Sequence, residues 1–313
     1  MENSKPIKIS VIIPVYGSEK ILPELVGQID KVLKVYSYEI IFVCDHSPDN
    51  SWEVIKNLSK NFPTICALRL RTNVGQHNAL MAGLNFTKGE IIITMDDDLQ
   101  HSPKDILSLV LQIEQGYDVV YARFTTRKHP LWKTMGSRLN NALATFLINK
   151  STELYLSPFR AMRSSICRDI LHYKGPYVYL DGLILLYTDN ITSIDVEHHE
   201  RYAIGDNYGL RKSISLSLKM ATSFSIAPLR LTLLSGILIS FIGFILAVLL
   251  IIQKFTINLM PAGWSSLMVT MLLMNGIQLL ALGVIGEYLG RALLTINSKP
   301  QYVISERIGY EEN

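Results

Sequence analysis

Residues 91–100 read IIITMDDDLQ, which joins a strand-like run to a cluster of carboxylates. The apolar run Ile91–Met95 leads without a break into the carboxylates of Asp96, Asp97 and Asp98. A short, β-branched apolar run is typical of a strand that is buried on both faces of a sheet. Ligands of such sheets bind beyond the carboxyl ends of the strands. The stretch therefore predicts a buried strand that ends in a binding site.

The residues on either side of this stretch alternate between strand-like and helix-like patterns. Predicted strands are Ile7–Ile13, Tyr38–Cys44, Ile65–Arg71, Glu90–Met95 and Tyr117–Ala122. Predicted helices cover 21–35, 49–61 and 76–86, with a further one opening at Ser102-Pro103. Asn50 or Ser51 is suited to cap the second helix. This alternation predicts an α/β domain with a mostly parallel sheet and helices on both faces.

Composition excludes several classes of protein. The chain has 313 residues, 49% of them hydrophobic and only 18% charged, with a formal net charge of +3. A mean hydropathy of +0.24 is incompatible with disorder, and the balanced charge argues against a nucleic-acid binder. The three widely spaced cysteines exclude a disulfide scaffold and a cysteine zinc site, and fit a reducing compartment.

The apolar residues concentrate near the C-terminus. Leu231–Ile252 and Ala262–Ile285 are runs of 22 and 24 residues without an ionisable side chain. Each is long enough to cross a hydrocarbon core of about 30 Å, and basic residues flank the pair. We expect an integral membrane protein with both termini cytoplasmic, in a bacterial inner membrane. The expected organisation is a cytosolic domain over 1–210, a juxtamembrane amphipathic segment over 211–230, a transmembrane hairpin over 231–286 and a cytosolic tail over 287–313.

Three consecutive carboxylates at a strand end repel one another unless a cation compensates. Hard oxygen ligands in this position suit Mg²⁺ or Mn²⁺ held jointly with substrate phosphates. The alternative is a solvated acidic turn that caps the following helix. Neither GxxxxGK[ST] nor GxGxxG follows the first strand, so the common phosphate-binding loops are absent. A cation would then have to neutralise any bound nucleotide.

Several weak motifs occur in a definite order along almost the whole chain. They are Pro14-Val-Tyr16 with Glu19, the Asp45 loop, Asn73-Val-Gly75 with Ala79, D-x-D-L-Q at Asp96, Asp98 and Gln100, Phe159-Arg160-Ala-Met-Arg163, Phe224-Ser-Ile-Ala-Pro228-Leu-Arg230 and Gly286-Glu-Tyr-Leu-Gly290-Arg291. With the two terminal apolar runs, this order resembles family-2 glycosyltransferases of the polyprenyl-phosphate type. These membrane enzymes move a sugar from a nucleotide to a lipid phosphate.

The resemblance implies a GT-A fold and a set of donor-side roles. Asp45 would contact the nucleobase beside Pro14, Tyr16 and Glu19. The metal, Mg²⁺ or Mn²⁺, and the donor diphosphate would be held by Asp96, Asp98 and Gln100, with Asp98 also catalytic. Asp97 stands where the family often has a small residue and is left outside the ligand set. An alternative for Tyr16 and Glu19 is a helix-entry loop that packs on itself.

On the acceptor side, the resemblance implies a basic group that grips the lipid phosphate. Its core is Arg123 (also a catalytic candidate), Lys133 and Ser137, and further candidates are Arg127, Arg160 and Arg201. Arg160 and Arg201 are equally compatible with surface or ion-paired roles. Apolar residues recur at helical spacing over Leu131–Ile148, which fits a helix in the membrane interface or one packed on the domain's own core. A second copy of the chain and a flippase are candidate partners.

The chain also departs from the family pattern. The second loop reads Cys44-Asp45-His46-Ser47 where relatives commonly have Asp-Asp-Gly-Ser, so the nucleotide is not assigned. An aspartate often discussed as the catalytic base is replaced by Leu154, which leaves the neighbouring Glu153 as a candidate. A phosphate monoester already carries a charge of about −1.5 to −2 at pH 7 and needs no proton removed. We therefore expect a single in-line displacement with inversion that does not depend on a base.

Two other functions are weighed against this one. A processive polysaccharide synthase is disfavoured because no Gln-x-x-Arg-Trp motif occurs and two spans are few for a polymer channel. A non-catalytic, lipid-binding partner in a membrane assembly is motivated by Cys44 and Leu154. The intact set of Asp96, Asp98 and Gln100 argues against that second alternative.

Overall fold

The fold is described from a computed structural model, which covers residues 7–124, 155–175, 178–196, 263–297 and 300–310, with eight further residues between 232 and 245. The chain divides into two compact units. The first contains residues 1–145, 149–208 and 298–313, and the second contains residues 146–148 and 209–297. The first unit holds the sheet, and the second holds a long apolar helix.

The first unit is built on one sheet of eight strands. The strands are β1 (Ile9–Val15), β2 (Tyr38–Cys44), β3 (Ile65–Leu70), β4 (Ile91–Thr94), β5 (Val119–Phe124), β6 (Arg160–Arg163), β7 (Ile191–Val196) and β8 (Ile304–Ile308). Their order across the sheet is β7-β5-β6-β4-β1-β2-β3-β8. The five predicted strands are confirmed as β1 to β5, whereas β6, β7 and β8 were not predicted.

The sheet is mixed rather than uniformly parallel. The parallel pairs are β1 with β2, β1 with β4, β2 with β3, and β5 with β7. Strand β6 lies between β4 and β5 and runs antiparallel to both, and β8 is antiparallel to β3. The parallel core therefore follows the prediction, and the antiparallel strands are additions at the centre and at one edge.

Helices cover both faces of the sheet, as predicted. In the first unit they are α1 (Leu22–Leu33), α2 (Ser51–Asn61), α3 (Gln76–Leu84), α4 (Asp105–Glu114), α5 (Ser164–Leu171) and α6 (Leu180–Tyr187). Val11 and Ile13 pack in one core with residues of α1, α2 and α4. Ile12 points to the other face, because side chains alternate along a strand. There α3 approaches so closely that a Cβ added at Gly83 would lie 2.5 Å from Ile12 Cγ2.

The start of α2 differs from the prediction. The helix begins at Ser51, but neither the side chain of Asn50 nor that of Ser51 caps it. Instead the carboxylate of Asp49 accepts a hydrogen bond from the backbone N–H of Ser51, at 3.1 Å. A carboxylate satisfies a helix N-terminus well because it is charged and complements the helix dipole. The prediction of Asn50 or Ser51 as the cap is therefore wrong, because Asp49 takes that role.

Strand β8 returns the C-terminal segment to the sheet. Glu306 on β8 accepts hydrogen bonds from Arg69 Nη1 on β3 at 2.6 Å and from Trp52 Nε1 on α2 at 3.1 Å. These contacts fix the edge of the sheet next to β3. Pairing and charged side chains are both known ways of protecting a strand edge.

The second unit contains helix α7 (Trp264–Ile296), which is 33 residues long. Within it, Met274–Ile296 is long and apolar enough to cross a membrane, judged by length and composition alone, and is the one such stretch among the described residues. The predicted span Ala262–Ile285 is helical from Trp264 onward. Most of the other predicted span, Leu231–Ile252, lies outside the described residues, as does the whole of Leu131–Ile148.

Candidate functional site

Three loops meet at the carboxyl ends of the parallel strands β1, β2 and β4. The register pairs Val15 with Cys44 at the ends of β1 and β2, and Ile12 with Thr94 at the end of β4. The loops that follow these strands, 16–19, 45–50 and 95–100, therefore leave the sheet at the same edge. Ligands of α/β sheets bind at such an edge. The predicted donor-side residues all lie in or beside these loops.

Asp97 connects the first of these loops to the end of β4. Its Oδ2 accepts hydrogen bonds from the Ser18 hydroxyl at 2.5 Å and from the Tyr16 backbone N–H at 3.2 Å. Burial raises the pKa of this carboxyl to about 6, against the lowering effect of those two hydrogen bonds. Asp97 lies outside the ligand set that the family resemblance implies. The structure gives it a positioning role that the sequence pattern did not reveal.

Asp49 connects the first loop to the second. Its Oδ1 accepts hydrogen bonds from the hydroxyls of Ser47 at 2.5 Å and Ser51 at 2.6 Å, and its Oδ2 accepts one from the Glu19 backbone N–H at 3.0 Å. Burial alone would raise the pKa of Asp49, but the hydrogen bonds outweigh it and lower that pKa below its ordinary value. The Ser47 hydroxyl in turn accepts from Gly17 N–H at 2.7 Å.

Glu19 and Tyr16 occupy different environments. The carboxylate of Glu19 accepts a hydrogen bond from the Asn50 backbone N–H at 3.0 Å, so it also helps to join the two loops. This contact favours the alternative in which Glu19 packs within the loops. The Tyr16 side chain is 57% exposed, which leaves its ring available to a ligand. Pro14, on strand β1, lies two residues before it. Contact of Pro14, Tyr16 and Glu19 with a nucleobase stays a prediction.

Asp45 shapes a fourth loop, the one that leads into α3. Its two carboxylate oxygens accept hydrogen bonds from the backbone N–H groups of Val74 and Gly75, each at 2.8 Å. Gly75 has φ +86°, a conformation that a residue with a side chain rarely adopts. Burial raises the pKa of Asp45, partly offset by these two hydrogen bonds. Asp45 is therefore a buried structural acceptor, and its predicted nucleobase contact is untested.

Asp96, Asp98 and Gln100 lie half-buried at the end of β4. Gln76 Nε2 donates to Asp96 Oδ1 at 2.6 Å, and the Gln100 backbone N–H donates to Asp98 Oδ1 at 3.1 Å. Leu99 between them has φ +59°, an uncommon conformation that often marks functional sites. The turn thus places three residues with oxygen-bearing side chains at the edge where the loops meet.

These residues fit a divalent cation of the magnesium type. Among the residues that the structure describes, no group of three or more His, Cys, Asp or Glu side chains is placed to hold a metal ion. Mg²⁺ is commonly bound by only one or two carboxylates, with substrate phosphates and water completing the shell. Asp96 and Asp98, with the amide oxygen of Gln100, provide that kind of partial donor set.

The basic side of the site begins with Arg123 at the end of β5. Its Nε donates to Asp195 Oδ1 at 2.5 Å and its Nη2 to Asp195 Oδ2 at 3.0 Å. Asp195 is on β7, directly opposite Arg123 in the parallel register. Both side chains are about half exposed, and the guanidinium lowers the pKa of the Asp195 carboxyl. No motif in the sequence singles out Asp195.

Arg160 has a different place from the one expected for an acceptor ligand. It is fully buried on β6, where Nη1 donates to Asp181 Oδ1 and Nε donates to Thr94 Oγ1 at 3.2 Å. The Tyr121 hydroxyl also donates to Asp181 Oδ1, at 2.9 Å. The structure therefore favours the ion-paired alternative for Arg160, and its burial gives no support to a contact with the acceptor phosphate.

The remaining predicted site residues lie outside the described residues. They are Arg127, Lys133, Ser137, Glu153 and Arg201. Their roles stay predictions from the sequence. The acceptor side is accordingly described through Arg123 and its ion pair.

Comparison with known proteins agrees with this geometry. The model of the protein family described as "Glycosyl transferase family 2" matches residues 10–171 of the chain. Undecaprenyl-phosphate 4-deoxy-4-formamido-L-arabinose transferase of Yersinia enterocolitica serotype O:8 is 35% identical, with 99% of this chain and 97% of that protein covered. The protein of the same name from Proteus mirabilis is 34% identical, with 97% and 95% covered.

Among solved structures, a similar one is glucosyl-3-phosphoglycerate synthase from Mycobacterium tuberculosis in complex with Mn²⁺, UDP-glucose and phosphoglyceric acid. It has a TM-score of 0.50 at 16% identity, with 70% of this chain and 78% of that chain covered. At this identity the likeness bears on the fold alone. It agrees with a mixed α/β sheet of the Rossmann-like GT-A kind.

Proposed function

The chain belongs to glycosyl transferase family 2 and is a glycosyltransferase, and on this premise we propose that it moves a sugar from a nucleotide-sugar to undecaprenyl phosphate. The proposal rests on the distribution of charge among the residues at the carboxyl ends of β1, β2, β4 and β5, which we call the strand-end site. Carboxylates gather after β4, and an exposed arginine stands at the end of β5. The relatives named for transfer to undecaprenyl phosphate align with the chain over nearly its full length.

The donor is proposed to bind across the loops after β1, β2 and β4. Tyr16 offers an exposed ring for the nucleobase, while Asp49 and Asp97 keep the loop that carries it in place. The diphosphate would lie against Asp96, Asp98 and Gln100 together with Mg²⁺ or Mn²⁺. When bound, the cation supplies positive charge that neutralises the diphosphate and stabilises it as a leaving group.

The acceptor phosphate is proposed to bind at Arg123, assisted by Arg127, Lys133, Ser137 and Arg201. A phosphate oxygen attacks the anomeric carbon of the sugar, and the bond from that carbon to the diphosphate oxygen breaks with its electron pair. The configuration at the anomeric carbon inverts in this single step. The nucleophile is already an anion, so positioning of the two substrates replaces a general base.

We further propose that the two apolar runs, Leu231–Ile252 and Ala262–Ile285, form a membrane hairpin with both termini in the cytoplasm. Support comes from the apolar length of Met274–Ile296 and from the basic residues that flank the runs. Such an anchor would keep the sheet domain at the cytoplasmic face, where nucleotide-sugars are made. A flippase and a second copy of the chain stay candidate partners.

The test is a transfer assay with the purified full-length protein in nanodiscs. Undecaprenyl phosphate, Mg²⁺ or Mn²⁺ and a panel of labelled nucleotide-sugars are supplied, beginning with a nucleotide-linked 4-deoxy-4-formamido-L-arabinose. We expect the label of one donor to appear in a lipid that carries a single sugar, and EDTA to abolish the transfer. Long polymer would indicate a polysaccharide synthase, and absence of turnover with every donor would overturn the proposal.

A control variant tests whether the loss of transfer is specific to the carboxylates after β4. Asp96→Asn combined with Asp98→Asn should abolish the labelled lipid. Asp169→Asn, an exposed aspartate on α5 outside the strand-end loops, should not change its yield. Equal loss in both variants would mean that the carboxylates after β4 have no special role.

A further inference from the structure

The ion pair between Arg123 and Asp195 is placed where the acceptor phosphate is proposed to bind. The two residues are register partners on the parallel strands β5 and β7. Each precedes the last residue of its strand, Phe124 and Val196, so both lie at the carboxyl edge. An ion pair that served only to join the strands could be placed anywhere along them. This one stands at the end of the sheet where ligands bind.

The geometry of the pair uses only one side of the guanidinium. Asp195 accepts from Nε and from one N–H of Nη2, which is the side-on arrangement. An arginine has five N–H donors in a rigid plane, so Nη1 and the second N–H of Nη2 form another, end-on pair. Within the described residues, the guanidinium of Arg123 has no other hydrogen-bond partner, and its side chain is 46% exposed.

We propose that Asp195 is a positioning residue, which holds the guanidinium of Arg123 side-on so that its end-on N–H pair binds the acceptor phosphate. The inference rests on the proposed function, because it concerns the lipid phosphate of that reaction. Arginine binds phosphate in a bidentate manner, and the binding is most favourable when the guanidinium plane is already oriented.

Asp195 can change the KM for the lipid phosphate in two opposite directions. A carboxylate that positions Arg123 lowers the KM for the lipid phosphate, because less side-chain entropy is lost on binding. A carboxylate that competes for the same N–H groups raises that KM. The side-on geometry favours positioning, since the end-on pair is left to a second anion.

The experiment compares four variants in the transfer assay, Asp195→Asn, Glu114→Gln, Arg123→Lys and the double variant Arg123→Lys with Asp195→Asn. Asp195→Asn keeps the size of the side chain but loses the charge and one acceptor, so the bidentate contact is broken. Glu114→Gln is the matched control, because Lys8–Glu114 is an ion pair of similar exposure, at 2.6 Å, beside the amino end of β1. Asp195→Asn is also made together with Arg123→Lys, since lysine has no planar fork.

In Asp195→Asn, we expect the KM for undecaprenyl phosphate to rise about tenfold, with kcat and the donor KM changed less than about twofold. Glu114→Gln should leave all three constants unchanged. In the Arg123→Lys background, Asp195→Asn should add no further change to the acceptor KM.

Several results would overturn the inference. An unchanged or lower acceptor KM in Asp195→Asn would show that Asp195 competes or is inert. The same rise in the Arg123→Lys background would show that it acts without Arg123. A large drop in Tm with both KM values raised would assign it a structural role. Failure of the wild-type protein to use any polyprenyl phosphate would instead refute the proposed function.

Discussion

The donor and acceptor sides of the strand-end site use their aspartates in different ways. On the donor side, Asp45, Asp49 and Asp97 accept hydrogen bonds from backbone N–H groups and serine hydroxyls. On the acceptor side, Asp195 pairs with Arg123. Among the described residues, these three donor-side carboxylates are thus held by neutral hydrogen-bond donors, while the acceptor-side aspartate is held by a guanidinium.

This difference fits what each side is proposed to bind, because a carboxylate paired with Arg123 can orient the guanidinium. A donor diphosphate with a divalent cation needs local negative charge to attract the cation. A lipid phosphate needs positive charge whose orientation is already fixed. The formal net charge of +3 therefore does not describe the charge at either side of the site.

The largest effect is expected from the donor carboxylates. Asp98→Ala should lower kcat/KM about 10⁴-fold, equivalent to ~5.5 kcal/mol, because the cation and diphosphate lose a ligand. Transfer assays with saturating and limiting metal would measure it, and the Tm should stay within a few degrees. A loss below tenfold would place the metal elsewhere.

The buried ion pair between Arg160 and Asp181 should have the largest effect on stability. Asp181→Ala leaves Arg160 buried without a counter-ion, which should lower the free energy of unfolding by about 3–5 kcal/mol. Urea unfolding followed by tryptophan fluorescence would report this, since Trp52 is buried in the sheet domain. Replacing both partners, as Arg160→Met with Asp181→Leu, should restore most of the loss. If the single variant were as stable as the wild type, the pair would not be a structural element.

Asp97 should make the free energy of unfolding depend on pH. Its pKa is raised by burial to about 6 in the folded protein, from an ordinary value near 4. The folded state therefore binds the proton more tightly than the unfolded state, and this stabilisation is lost as the pH rises through 6. Between pH 4 and 7 the contribution should fall by about 2–3 kcal/mol.

The measurement is urea unfolding in EDTA at several pH values, for the wild type and for Asp97→Asn. The variant should lack this component of the pH dependence, so the difference between the two curves isolates the carboxyl. Parallel curves from pH 4 to 7 would contradict the assignment.

The smallest effect is expected at Glu153. If the lipid phosphate needs no base, Glu153→Ala should lower kcat less than about tenfold, because a positioned base typically contributes 10²–10⁴-fold. A fall of three decades, with substrate binding and folding intact, would show that a base is required after all.

The parallel core of the fold could be predicted from the sequence because its strands are continuous apolar runs. Ile9–Val15 and Tyr38–Cys44 are buried along almost their whole length, and such runs are recognisable without a partner. The strands that were missed lack this signal. Strand β6 is four residues long with an arginine at each end, and β7 has polar residues at three of its six positions, two of them consecutive.

The apolar runs also indicate where the site residues lie, but they do not indicate what these residues contact. Asp96 and Asp98 were predicted because they directly follow a strand. The roles of Asp49, Asp97 and Asp195 depend on contacts with Ser51, Ser18 and Arg123, two of which join residues 79 and 72 positions apart. No local pattern specifies such pairings. Arg160 differs in that its motif predicts a role at the site, whereas Asp181 on α6 holds its side chain in the core.

The central claim is that donor and acceptor bind on separate sides of the strand-end site. Its most direct test is to measure the KM for each substrate in Arg123→Ala and in Asp96→Asn. Arg123→Ala should raise the KM for undecaprenyl phosphate at least about tenfold and leave the donor KM unchanged, and Asp96→Asn should do the opposite. If both variants raised both constants to the same extent, the two sides would not be separate and the account would be wrong.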